Sequence, residues 1–205
     1  MLVFHNQALV ILSIPKTGNT ALESALAPHA SLAVLGPPDV RHMPWRVYRN
    51  SWVRFLEAQF GRKFETLAVV RDPLDRMRSW YRYRARPQFD GSKMSTAEMS
   101  FDAFIDASLQ ENPPPVARIW TQDKFVSSKV DEVRVTHLFD YAQMDQLVRW
   151  LSDKLAREIT LSRENVSPSR PTPLSPSLES ALRSDRASEF ALYTRVAQAG
   201  YLKTG

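Results

Sequence analysis

The stretch Leu9-Val-Ile-Leu-Ser-Ile14 is apolar on both faces and runs straight into Pro15-Lys-Thr-Gly-Asn-Thr20. A strand with one wet face alternates polar and apolar residues; a continuous apolar run must be covered on both sides, as in parallel sheets. The cover comes next in the chain. Gly18 to Ala27 reads as a helix with Ala21, Leu22, Ala25 and Leu26 on one stripe, stopped by Pro28. Thr66-Leu-Ala-Val-Val70 repeats the arrangement, and Asp72-Pro73 then opens a helix to about Arg84 with an acidic N-cap and proline at the first position. This alternation predicts an α/β fold, a central parallel sheet with helices on both faces.

The remaining segments fit that plan. Ser31 to Leu35 is a short strand candidate, Gly36-Pro-Pro-Asp39 a turn cluster, and Trp45 to Phe60 a helix with Val53, Leu56 and Phe60 on one side. Arg86 to Ser100 has few apolar residues and reads as a mobile loop. Then come a helix at Phe101 to Leu109, the rigid Asn112-Pro-Pro-Pro115 break, a strand at Glu132 to Leu138 and an amphipathic helix at Tyr141 to Arg157. Ser162 to Ser177 is a proline- and serine-rich loop, and Leu178 to Ala199 returns to helix. With 205 residues, 43% of them hydrophobic, and no internal repeat, the expectation is a single domain over residues 1–205.

Composition removes several chemistries. There is no cysteine, hence no disulfide framework, thiol nucleophile or cysteine-bound zinc. His5, His29, His42 and His137 show no ligand spacing, so no metal site is expected. The longest apolar run, Ala8 to Ile14, is too short to span a bilayer and has no basic residues before it, which reads as a cytoplasmic protein without a transmembrane segment. A formal net charge of +5 suits an anionic ligand. It suits nucleic acid equally, but nothing beyond the charge excess points there.

Two sites carry chemistry. At Ile14-Pro-Lys-Thr-Gly-Asn-Thr20 a buried strand turns through Gly18 into a helix start, where backbone N–H groups and the positive end of the dipole favour an anion. Lys16 adds a full charge, and Thr17, Asn19 and Thr20 add side-chain donors. The loop is not a Walker A sequence, because its lysine precedes the glycine. Read structurally, the same residues are a capped helix start, with Thr20 and Glu23 as a capping box. The second site is Val70-Arg-Asp-Pro-Leu-Asp-Arg-Met-Arg-Ser79. Arg71 lies at the C-terminal end of a buried strand, where ligands bind in open parallel sheets. Ser79 lies roughly 9–10 Å along the following helix. Together they can grip one phosphate from two sides. Arg76, Arg78, Arg82, Arg84 and Arg86 read as a solvated basic face.

The two motifs resemble those of sulfotransferases that use 3′-phosphoadenosine-5′-phosphosulfate (PAPS), most nearly the carbohydrate-type family 2 branch. Pro15-Lys-Thr-Gly-Asn-Thr20 is similar to the 5′-phosphosulfate loop, and Arg71-Asp-Pro-x-x-Arg-x-x-Ser-x-Tyr81 to the 3′-phosphate motif, about 55 residues on. Val130-Asp-Glu-Val133, Phe139, Asn165-Val-Ser167 and Tyr193 resemble that branch more loosely. The resemblance implies a P-loop-like nucleotide-binding fold and in-line sulfuryl transfer to an acceptor hydroxyl, without a metal. In it Lys16 stabilises the leaving 5′-phosphate, Thr17, Gly18, Asn19 and Thr20 hold that phosphate, and Arg71 and Ser79 hold the 3′-phosphate. Asn19 departs from the family, which more often has a small or hydroxylated residue there, and altered packing is expected.

His42, in the turn between the motifs, is the candidate general base, since histidine titrates near neutrality. A surface-loop histidine is the other reading; Glu57 and Glu65 are weaker candidates, and His137 reads as a core or edge residue. Arg170 is a candidate for a further phosphate contact from the late loop. Trp45, Trp52, Trp80 and Trp120 either stack on adenine or a sugar, or simply pack. The implied acceptor is a hydroxyl of a glycan, glycolipid or small metabolite. Its specificity is expected in the segments Gly36 to Pro44, Arg86 to Ser100 and Pro113 to Trp120. Two other readings stand beside this one: a non-catalytic nucleotide-binding module of the same fold, and a P-loop kinase. The absence of a Walker A lysine opposes the kinase. The absence of a membrane anchor suggests a bacterial enzyme.

Overall fold

The chain opens with a hairpin, β1 (Leu2–Phe4) and β2 (Leu9–Ile11), and continues through α1 (Asn19–Leu26) to the two-residue β3 (Leu32–Ala33). The computed structural model describes residues 1–129, 132–162 and 170–204, with Lys129 given by its backbone alone. Short α2 (Pro38–Arg41) and α3 (Trp45–Tyr48) follow, then a π turn at Arg49–Val53, α4 (Arg54–Phe60) and the central strand β4 (Glu65–Val70). Next come α5 (Pro73–Arg84), α6 (Phe101–Ser108), α7 (Gln122–Val126) and a hairpin of β5 (Ser127–Lys129) with β6 (Glu132–Val133). The last part holds β7 (His137–Asp140), α8 (Met144–Leu155), α9 (Pro176–Asp185), α10 (Ala187–Ala199) and β8 (Tyr201–Lys203).

The main sheet runs in the order β3-β1-β2-β4-β7-β8. Its middle is parallel, as the apolar runs require: β2 pairs with β4 at Val10↔Thr66, and β4 with β7 at Val69↔Phe139. The flanks are not. β1, β3 and β8 all pair antiparallel, so the sheet is mixed rather than parallel throughout. For β1 and β2 the physical reason is connection length: a turn of a few residues can only reverse the chain.

Both faces of the sheet are covered. Along β4, Leu67 and Val69 face a layer containing Leu22, Leu26, Leu147 and Leu151 from α1 and α8. Ala68 and Val70 face the opposite layer, with Leu56, Phe125, Leu192 and Val196 from α4, α7 and α10. A third cluster, with Tyr81, Phe104, Ile105 and Leu182, joins α5, α6 and α9.

α5 begins as its sequence dictates, with the Asp72 side chain accepting the Asp75 N–H (2.8 Å), and ends at Arg84. Other elements differ from expectation. The Glu132–Leu138 strand is split between β6 and β7, the Leu178–Ala199 helix breaks at Arg186, and the Trp45–Phe60 helix contains a π turn. Arg86 to Ser100 is pinned rather than loose: Thr96 is fully buried, and its hydroxyl donates to the Tyr81 carbonyl (2.6 Å). Val130, Asp131 and Asn165-Val-Ser167 lie outside the described residues, as do residues 163–169 of the proline-serine loop. Among the described residues no helix is long and apolar enough to cross a membrane.

Candidate functional site

The C-terminal ends of β2 and β4 bring the two motifs together. Past β2 the chain makes two left-handed turns, at Lys16 (φ 71°) and Gly18 (φ 79°). Such a φ costs a non-glycine residue roughly 1–2 kcal/mol, and strain of this kind gathers at functional sites. Gly18 is the N-cap of α1, so no side chain caps the first turn. The expected capping box is absent: Glu23 instead accepts from Ser13 Oγ (3.0 Å) and pairs with Arg41 (2.5 Å).

Two expected side-chain donors brace the loop from inside. Thr17 is fully buried and its hydroxyl donates to the Ile14 carbonyl (2.8 Å). Asn19 Nδ2 donates to the same carbonyl, so its asparagine ties the turn rather than reaching outward. An anion here is left with backbone N–H groups and the half-buried Thr20.

Lys16 Nζ lies 4.0 Å from the centre of the Tyr83 ring and 5.8 Å from that of Trp80. Burial, reinforced by the charges of Arg86 and Arg71, lowers its pKa to about 8. Three cations therefore converge on one spot, and the nearby Trp80 indole N–H is buried without an acceptor. An oxyanion relieves both.

Arg71 locks the second motif to the first. Its Nη1 donates to the Lys16 carbonyl (3.0 Å), its Nε to Asp75 (2.7 Å), and its guanidinium stacks 4.4 Å from the Tyr141 ring centre. Gln122 holds its backbone from both sides, accepting from Arg71 N (2.9 Å) and donating to Arg71 O (2.7 Å). Ser79 is half-buried on the α5 stripe Arg76–Ser79–Tyr83. Arg76 Nε reaches the Pro15 carbonyl (3.1 Å) and Tyr83 underlies Lys16, so Ser79 sits between them on the loop-facing side.

The solvated basic face is overturned for Arg76, Arg82 and Arg84. Arg76 and Arg84 are buried, the latter donating to the Val116 carbonyl, and Arg82 donates to Arg170 O (3.1 Å) and Thr172 Oγ1 (3.2 Å). Carbonyls of distant loops supply what water was expected to supply. Arg170, the candidate from the late loop, clamps the Arg86–Ser100 segment: its Nη atoms donate to the carbonyls of Thr96 (2.8 Å), Ala97 (3.0 Å) and Met99 (2.9 Å).

His42 joins the site through Ser13, one residue before Ile14. Its Nδ1–H donates to the Ser13 carbonyl (2.8 Å), which leaves Nε2 as the acceptor. Burial lowers its pKa below the usual 6.5, keeping it neutral at pH 7. Glu65 stands at the other end of β4, paired with Lys154 (3.0 Å) and His137 (3.3 Å), and is remote from the loop. Tyr193 sits among Asp140, Asp72 and Asp75, and burial with these charges raises its pKa to about 12.

Tyr141, Tyr83 and Gln122 were not legible as site residues, since each acts through a tertiary contact and none lies in a motif. Tyr141 also explains the glycine: a Cβ on Gly18 would stand 3.1 Å from Tyr141 Cε2. Gly18→Ala is therefore expected to lose roughly 1–2 kcal/mol of stability from the left-handed φ alone. It should also weaken anion binding by displacing Tyr141 from Arg71; denaturant unfolding and a phosphate titration of the same variant check both.

A separate open groove of about 580 Å³ lies between α3, the π turn and the β5–β6 hairpin, lined by Trp45, Arg46, Arg49 and Arg134. It does not include the loop residues. Among the described residues no group of three His, Asp or Glu is placed to hold a metal ion. No family model and no curated protein matches this chain.

Proposed function

We propose that the chain is a PAPS-dependent sulfotransferase of P-loop-like nucleotide-binding fold, working in the cytoplasm on a hydroxyl of a glycan, glycolipid or small metabolite. The observation that carries the reading is the coupling of the two motifs. Lys16, strained and partly desolvated at an uncapped helix start, is tied through its own carbonyl to Arg71.

In this reading the first-turn N–H groups and Thr20 hold the 5′-phosphate, and Arg71 with Ser79 holds the 3′-phosphate. As the acceptor oxygen bonds to sulfur, the bond from sulfur to the 5′-phosphate oxygen breaks. Lys16 stabilises the charge that develops on that oxygen. His42 Nε2 takes the acceptor proton, a task its neutral form suits. Wild-type protein given radiolabelled PAPS and a panel of neutral and acidic oligosaccharides is expected to label at least one acceptor, and His42→Gln to lose rate by about 10²–10⁴-fold. Tight binding of donor product with no labelled acceptor in any arm would replace this reading by the non-catalytic nucleotide-binding module.

A further inference from the structure

A second cavity, of about 250 Å³, lies on the far side of Arg76 from the loop, with Ser108, Arg118, Trp120, Thr121, Lys124 and Arg186 in its wall. Its lining holds three cationic side chains, Arg118, Lys124 and Arg186, and no carboxylate. Arg76 and Arg186 are 3% and 5% exposed and share one buried carboxylate, Glu189, at 3.2 and 3.5 Å. Asp123 is a second buried carboxylate, accepting from Ser188 Oγ at Oδ2 (2.8 Å). Against the two buried guanidiniums stand two buried carboxylates, so the unmatched positive charge lies at the cavity's rim, in Arg118 and Lys124.

The donors point the same way. Arg186 Nη1 faces Glu189 Oε2 (3.5 Å), but Arg186 Nε and Thr121 Oγ1 are buried without hydrogen-bond partners, and both residues line this cavity. A buried donor without a partner loses its hydration and gains nothing in return. At the rim stand exposed Arg118 and Lys124, and Trp120, 65% exposed, presents its ring.

We propose that this cavity binds an oxyanion, a carboxylate or a sulfate, held by Arg186 and the Thr121 hydroxyl, with Trp120 packed on the body that carries it. The cavity has more room than a bare oxyanion fills, and an aromatic platform beside a charged clamp suits a ring bearing an acid group. Trp120 is one guanidinium away from the phosphate loop: Arg76 donates to the Trp120 carbonyl (3.0 Å) and to the Pro15 carbonyl (3.1 Å). The site stands on its own charges and holds whether or not the loop takes a nucleotide.

Two-dimensional amide and indole NMR of the full chain tests it, with sodium sulfate, sodium glucuronate and glucose added at ionic strength held constant with chloride. The Trp120 indole and Thr121 amide are expected to shift saturably with an oxyanion, independently of the Gly18 amide that reports on the loop. Thr121→Val should weaken that binding roughly threefold to tenfold, and Arg186→Lys about tenfold or more. Saturation by glucuronate at lower concentration than sulfate assigns the anion to a sugar acid; the reverse order assigns it to a free oxyanion. No saturable shift, or the same midpoint in wild type and Thr121→Val, would overturn the proposal.

Discussion

Lys16→Gly is expected to slow sulfuryl transfer by about 10²–10³-fold, the loss typical of removing one group that stabilises developing charge. The same variant should unfold no more easily than wild type. Glycine accepts the left-handed φ of 71° that costs lysine roughly 1–2 kcal/mol, and it removes a cation crowded by Arg86 and Arg71. Against this stands the lost contact with Tyr83, worth roughly 0.5–2 kcal/mol. The pH dependence isolates the cation. Folded Lys16 titrates near about 8 and unfolded lysine near 10.5, so over that window the unfolded chain holds the extra proton and stability rises with pH. Urea unfolding at pH 7.5 and 10 should show that rise in wild type and a smaller one in Lys16→Gly. A variant that is both active and less stable would contradict the assignment of this lysine as a functional, strained residue.

Arg76→Met should be the most damaging change to the fold, losing about 3–5 kcal/mol, because it leaves buried Glu189 with Arg186 alone and takes the donor from two backbone carbonyls. Arg76 Nη1 pairs with Glu189 (3.2 Å), Nη1 and Nη2 reach the Trp120 carbonyl, and Nε reaches the Pro15 carbonyl. Burial pulls its pKa down to about 10, with Glu189 opposing the fall, so it stays charged at neutrality. Adding Glu189→Gln to Arg76→Met keeps an acceptor for the Gln122 N–H (2.9 Å) but leaves buried Arg186 without its carboxylate (3.5 Å), so the two changes should not add. Denaturation midpoints of the two single variants and the double variant measure this coupling. An Arg76→Met protein as stable as wild type would show that the guanidinium does not hold the loop, Trp120 and α10 together.

How much of this was legible depended on whether a residue's role was local. Asp72 and Pro73 announced the start of α5 because capping is decided within one turn. The apolar runs at β2 and β4 announced parallel, doubly covered strands for the same reason. β1 and β8, three residues each, carry too short a pattern to separate from a loop, so the mixed character of the sheet was hidden. Arg76 and Arg84 were misread together. A run of arginines looks like a wet face unless one knows that the carbonyls of Pro15, Trp120 and Val116 fold back onto it. Thr17 and Asn19 show the converse: their place in the loop was legible, but both side chains turn inward to Ile14.

The central claim is that the coupled loop recognises a nucleotide with phosphates at both 5′ and 3′ positions. Calorimetric titration of wild-type protein with adenosine 3′,5′-bisphosphate, adenosine 5′-monophosphate and magnesium ATP tests it most directly, with Arg71→Ala as the paired variant. The account predicts tightest binding of the bisphosphate and a loss of about tenfold or more without the 3′-phosphate. In Arg71→Ala that advantage should shrink. Equal affinity for all three nucleotides, or no heat from the bisphosphate, would contradict it.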